Sequence, residues 1–516
     1  MKGQILDQIQ AIAPEPEVDG VEIAPAPTPP STTETDRFLA DSVMWNAICD
    51  WGSQIFSWAS FLIVMRLLTP ADFGIAALAM ITLSYLGQMT GFGIQRAVVT
   101  LRELTSDQLA QLNTVSLGLG LLWFALSLVL AKPFAIFFKT PQLAPVLIVC
   151  CSTLIPLGLQ TVSTGLLSKE LRFRLLSILG AASSLVSCIV TLAMAFWGFG
   201  YWALVLGNLI SSVARAIVVL LIRPCRLAFP RLRDIRGPLR FCRSLVVSSF
   251  AFYSYERTDN LVVGKMLGES MLGLYGTAWE LANVPLEKIV TVLVTVIPSF
   301  LAAVQNQPAA LRRYLRILTE VIALAAFPAT IGLALIAHEM VPIVFGHKWD
   351  GMIEPLEVLS FYAGFRSIVA LLSKILIAVG DAHYVMRNDV IALIVLTTAF
   401  YVGSFYGTVG VAWSWVIAYP LIALPLYRKT FKTIDMKMSE YLRALRPALE
   451  ATVTMVLSVE LVKHVLPLAL PISVRLVGEV FAGMLSYCAT LALLHKQRMN
   501  VLIQAGRSLR SQHSRA

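Results

Sequence analysis

From Asp41 onward the chain is written as long apolar runs separated by short polar turns. Fourteen runs reach the length needed to cross a hydrocarbon core, at about 42–65, 73–95, 114–136, 143–167, 175–197, 201–222, 243–264, 272–298, 317–337, 352–379, 388–406, 409–427, 448–467 and 473–494. A spanning helix takes about 20 residues. No run alternates apolar and polar residues as a half-buried strand does, and backbone of this length in lipid satisfies its own polar groups only as a helix. The pattern predicts an all-α, polytopic membrane protein of about 14 transmembrane helices.

The pattern also repeats. Met65 to Gly74 reads MRLLTPADFG, and 199 residues further on Lys265 to Gly273 reads KMLGESMLG, so that Leu68 falls on Leu267 and Gly74 on Gly273. In each copy a cation (Arg66, Lys265) closes an apolar run, a turn with Pro70 or Gly268 follows, and a glycine opens the next run. GFGYWALV at Gly198 to Val205 and TVGVAWSW at Thr408 to Trp415 form a second pair. Internal repeats of this kind build many transporters. The expected organisation is an N-lobe of six helices over 41–223, a basic linker at 224–241, a C-lobe of six helices over 242–427, a basic loop with two extra helices over 428–494, and a basic tail at 495–516. An even number of helices per lobe makes the repeat parallel, about an axis along the membrane normal.

Lys and Arg crowd into alternate loops, most densely in the links after the sixth and twelfth runs, which places those loops and both termini on the cytoplasmic side. Composition agrees with a membrane protein: 57% of residues are hydrophobic and only 14% charged, against roughly 25% charged in soluble domains. The net charge of +10 punctuates apolar runs rather than forming a basic face, which excludes nucleic acid as a partner. Residues 1–40, acidic and rich in proline, read as a disordered cytoplasmic tail and lack the apolar core of a signal peptide. Seven cysteines without a CxxC, five of them inside apolar runs, and six scattered histidines offer no disulfide framework, metal site or cofactor.

Ionisable residues inside apolar runs are costly and are functional candidates by default. Asp50 lies in the first run; the seventh holds Glu256, Arg257, Asp259 and Asn260 within YERTDN; the eighth has Glu280, the sixth Arg215 and the tenth Arg366 and Lys374. Arg66, Arg96 and Lys265, near helix ends, read as snorkelling side chains. The helix-7 charges point either to an internal pair of Arg257 with Asp50 or Asp259, or to a watery cavity. Guanidinium groups stay charged and donate in a fork that matches phosphate, so Arg257 and Arg366, with Lys374 and Arg215, are candidates for a pyrophosphate headgroup. Asp50, Glu256, Asp259 and Glu280 are candidates for ion coupling or ion pairing.

RLLTPADFGIAAL, GFGIQRAVV, LLSKELRFRLL, GFGYWALV and RTDNLVVGKMLGESMLGLY together resemble the polysaccharide transporter family. This is the lipid-linked oligosaccharide flippase branch of the multidrug/oligosaccharidyl-lipid/polysaccharide exporter superfamily, near the colanic-acid and teichuronic-acid exporters. The resemblance runs from about residue 40 to about residue 427. It implies a multi-pass protein of the bacterial inner (cytoplasmic) membrane that carries an undecaprenyl-pyrophosphate-linked repeat unit to the outer leaflet for capsule, exopolysaccharide or O-antigen synthesis. Two lobes would alternate access around a cationic cavity, with a polysaccharide polymerase or export complex as a further partner. Arg257 and Asp259 fall on the family's charged helix-7 pattern, and Arg66 and Lys265 on its turn cations. The alternatives are a multidrug cation antiporter of the same superfamily and, from another class, a membrane polysaccharide polymerase or ligase. Short external loops without a DxD pattern or an assembled nucleophile weigh against an enzyme.

Overall fold

The computed structural model describes residues 52–101, 104–285, 304, 307–467 and 470–496. Asp50, the segment 1–40 and residues 497–516 lie outside the described residues. Helices follow one another with turns of a few residues between most of them: α1 (52–67), α2 (Pro70–Gly87, continued through a π-helical turn Gln88–Phe92 into Gly93–Thr100) and α3 (Ser106–Phe138) come first. Then come α4 (Leu143–Ser152 and Leu154–Lys169), α5 (Phe173–Phe196), α6 (Tyr201–Ile222), α7 (Leu232–Met266) and α8 (269–285). The chain continues through α9 (Pro308–Val344), a 3-10 turn His347–Met352, α10 (Ile353–Ala378), α11 (Ala382–Ser404), α12 (Gly407–Ile434), α13 (Met438–Val465) and α14 (Ile472–Leu494). No strand occurs among the described residues, and ten of their spans are long and apolar enough to cross a membrane.

The outward faces are apolar. Val129, Ile217, Leu457 and Phe481 are exposed, as suits side chains that meet lipid tails rather than water. The main core gathers Met65, Ile75, Leu147, Val263, Tyr275, Trp279, Val341, Trp349 and Trp415, drawn from both lobes. Its members come mainly from the ends of α1, α3, α7, α9 and α11 and the starts of α2, α4, α6, α8, α10 and α12, so both lobes share one core at one end of the bundle. α13 and α14 pack on each other and along α9, which attaches them to the C-lobe.

The sequence boundary between linker and α7 moves. The second half of the basic linker is already helical: Ile235 and Cys242 are buried with Ile94, Ala97 and Val98 of α2, while Arg233 and Arg236 stay exposed. One apolar stripe with cations opposite is an amphipathic helix start, invisible to a search for uninterrupted apolar runs. Burial pushes the thiol of Cys225, in the loop before this helix, above its ordinary value, which makes it a small apolar side chain rather than a reactive one.

Candidate functional site

The two copies of the repeated turn meet each other. At the start of α2, Thr69 and Asp72 form a capping box: the Thr69 N–H donates to Asp72 Oδ2 at 2.9 Å and the Asp72 N–H to Thr69 Oγ1 at 3.3 Å. Pro70 then fills the first helical position, where its missing N–H costs nothing. At the start of α8 the chain turns through Gly268 with φ +89°, a conformation that favours glycine. These two helix starts cross at the lobe boundary. A Cβ on Gly74 would lie 1.8 Å from the Glu269 carbonyl oxygen, and one on Gly273 1.8 Å from that of Pro70.

The turn cations reinforce the crossing. Both bond to backbone of the opposite lobe. Arg66 Nε donates to the Val344 carbonyl at 2.9 Å, and its Nη2 to that of Ile343, at the C-terminus of α9 in the opposite lobe. Lys265 Nζ donates to the Phe137 carbonyl at the C-terminus of α3, again in the opposite lobe, and lies 3.9 Å from the Phe137 ring centre. The last carbonyls of a helix lack intrahelical partners and carry the negative end of its dipole, so each cation caps a helix of the other lobe. Further bonds close the same end. Lys348 Nζ donates to Arg66 O at 2.8 Å, Trp349 Nε1 to Met65 O at 2.9 Å, Thr140 Oγ1 to Glu269 Oε2 at 2.6 Å, and the Tyr201 N–H to Asp72 Oδ1 at 3.1 Å.

Beside this seal lies a cavity of about 400 Å³ between α1 and α2 of one lobe and α7 and α8 of the other. Phe61, Phe73, Met80 and Tyr85 supply apolar wall, and Arg257, Asn260, Thr277 and Glu280 supply polar groups. Arg257 Nη1 donates to Glu280 Oε1 at 3.0 Å, with both side chains partly exposed to the cavity. One bond leaves most of the fork of guanidinium donors available, so an incoming anion can share Arg257 with Glu280 or displace the carboxylate.

The other charges of helix 7 turn into the C-lobe. Glu256 pairs with Arg366 Nη2; Arg366 also donates to Asn283 Oδ1 at 3.0 Å and lies 5.8 Å from the Trp279 ring centre. Asp259 is fully buried and bound by neutral donors: Tyr275 OH at 2.9 Å, Trp415 Nε1 at 3.1 Å, and the Asn260 backbone and side-chain N–H groups at 2.7 and 2.9 Å. Trp415 in turn stacks among Trp279, Tyr362 and Phe400, so this carboxylate holds α7, α8 and α12 together. Arg215 on α6 has a buried Nε with no hydrogen-bond partner among the described residues, and half-buried Lys374 sits on α10; neither lines the cavity. No group of three His, Cys, Asp or Glu able to hold a metal occurs among the described residues.

A second charged cluster escaped the sequence reading. Glu339 of α9, nearly buried, accepts from Arg475 of α14 at 3.3 Å and lies 3.9 Å from Lys463 of α13. Glu479 of α14 lines an apolar cavity of about 600 Å³ shared by α1, α8, α9, α13 and α14. The available signal was the single acid within VRLVGEVFAG, in the fourteenth run.

The sequence profile of a family described as "Polysaccharide biosynthesis protein" matches residues 63–354. The chain is 25% identical over 358 residues to the "Lipopolysaccharide biosynthesis protein WzxC" of Escherichia coli (strain K12), covering 68% of this chain and 72% of that one. It is 23% identical over 432 residues to the "Teichuronic acid biosynthesis protein TuaB" of Bacillus subtilis (strain 168), covering 81% and 87%. Among solved structures it matches the fold of "Lipid II flippase MurJ, inward closed conformation" with a TM-score of 0.71 and 14% identity, covering 88% of this chain and 100% of that one.

Proposed function

Because the chain belongs to the polysaccharide biosynthesis protein family, we propose that it is a flippase that carries a polyprenyl-pyrophosphate-linked oligosaccharide across the bacterial inner membrane. The carrier lipid in this reading is undecaprenyl, the product an exopolysaccharide, capsule or O-antigen, and a polysaccharide polymerase or export complex the neighbour that takes the unit onward. The observation that supports it best is the cavity at the lobe boundary, with Arg257 presented into it and one end sealed by the crossed turns of Gly74 and Gly273.

No covalent chemistry is involved. Binding differs between two arrangements of the lobes, and exchange between them carries the headgroup across. Both termini are cytoplasmic by the distribution of Lys and Arg, which makes the sealed end the outer one. Arg257 meets the pyrophosphate, Glu280 holds the guanidinium in place while the cavity is empty, and the Glu256–Arg366 pair supports helix 7 from behind.

Reconstituted protein with a labelled polyprenyl-pyrophosphate oligosaccharide tests this through exposure of the sugar to an external modifying reagent. Wild type exposes the sugar, and Arg257→Ala, matched for folding, loses most of that activity. Flipping by both removes Arg257 from the site, and a wild type that moves cationic dyes but no lipid overturns the flippase reading.

A further inference from the structure

We infer that Glu479 is a proton-binding site, and that the proton it holds favours the arrangement in which the outer end is closed. The side chain is fully buried, and neither carboxylate oxygen has a hydrogen-bond partner among the described residues. Glu479 lines the cavity of about 600 Å³, where its neighbours from α1 and α8 among the described residues are Trp58, Leu281, Val284 and Pro285, none of them charged.

Among the described residues, the charged groups acting on Glu479 are Glu339 from α9, Glu460 and Lys463 from α13, and Arg475 from its own helix. Two acids and two bases sum to zero. Among the described residues, Arg475 and Lys463 pair with Glu339, and Glu479 forms no ion pair. A buried carboxylate with no hydrogen-bond donor and no ion pair is the costlier form of this side chain, whereas the neutral acid fits an apolar wall.

The same cavity has a wall from each lobe. Trp58 belongs to α1 of the N-lobe; the facing wall is α9, α13 and α14. When the outer mouth parts and α1 withdraws, water reaches Glu479 and the acid releases its proton. When α1 returns, a carboxylate must take up a proton from the water being excluded. Proton binding and outer closure are therefore linked, each favouring the other. The proton enters from and leaves to water, and no other group changes.

The inference goes beyond the flippase reading, and its test uses no lipid substrate, so the two fail independently. Spin labels at Lys139→Cys and His347→Cys, exposed positions on opposite lobes at the outer end, report the mouth in full-length protein in nanodiscs, with the seven native cysteines replaced. The closed fraction of the wild type rises between about pH 9 and about pH 5, changing the closed-to-open ratio by about fivefold or more. Glu479→Gln stays closed across the range. A Glu479→Gln protein that keeps the wild-type response, or a wild type without one, overturns the inference. So does a response that follows sodium at fixed pH, which would assign the site to a metal cation. Should Glu479→Gln fail to fold, Glu479→Asp must shift the midpoint; an unmoved midpoint likewise overturns it.

Discussion

Gly74 and Gly273 face each other's turn across the lobe boundary, each leaving only enough room for the opposite backbone carbonyl, at 1.8 Å from where a Cβ would stand. Alanine at either position forces the two helix starts apart. Such overpacking costs about 1–3 kcal/mol, which shifts a two-state equilibrium by about 5–150-fold. Gly74→Ala and Gly273→Ala are expected to open the sealed end and cut flipping by about tenfold or more. Gly118→Ala, whose Cβ meets nothing within 4 Å, leaves flipping unchanged. Equal loss in all three would point to a general effect of glycine replacement.

Arg66→Ala and Lys265→Ala each remove one cap from a helix of the opposite lobe. A cation at a helix C-terminus contributes about 0.3–1 kcal/mol, so each change loosens the seal modestly. A cysteine at Thr277, which lines the cavity, is expected to react about two- to fivefold faster with an external thiol reagent in either variant. The double variant shows the product of the two effects, because the caps share no partner. Unaltered labelling in both variants would mean that the caps add nothing to closure.

Asp259→Ala removes the acceptor for the Tyr275 hydroxyl and the Trp415 indole N–H. Leaving buried donors without acceptors costs about 1–3 kcal/mol, so the melting temperature in detergent falls by several degrees, as tryptophan fluorescence reports. Asp259→Asn keeps the shape and one acceptor and recovers most of the loss. An Asp259→Asn protein with unchanged melting but no flipping would move this residue from structure to transport.

Glu280→Gln frees Arg257 from its carboxylate while keeping the size of the side chain. Without a negative charge competing for the guanidinium, a pyrophosphate lipid is expected to bind more tightly and leave more slowly. The flipping assay then shows a half-saturating lipid concentration several-fold lower, together with a lower maximal rate. The reverse pattern would show that Glu280 helps the substrate bind.

The helices were legible because lipid imposes one solution on long apolar runs, and the repeat was legible because Arg66, Gly74, Lys265 and Gly273 keep their spacing. What those residues touch was not. Arg66 finds its partners 277 and 278 residues away, and a cation near a helix end looks the same in sequence whether it snorkels or caps. Asp259 and Arg257, two positions apart, diverge for a similar reason. The helical turn sends one among Tyr275 and Trp415 and the other into the lobe boundary. Glu479 was overlooked because a single acid does not lower the hydropathy of its run enough to draw notice; only the burial of both oxygens marks it.

The crossing of the two turns has the geometry of an isologous interface, in which the same surface patch is used by both partners and residue i meets j as j meets i. Here the two subunits are halves of one chain, and positions 74 and 269 meet as 273 and 70 do. A self-complementary contact constrains both copies at once. Pro70 and Glu269 can differ because each meets the facing glycine only through its backbone carbonyl, whereas the position facing it must be glycine in both halves. Divergence after duplication can therefore reshape the cavity walls lobe by lobe, while the seal remains a matter of symmetry.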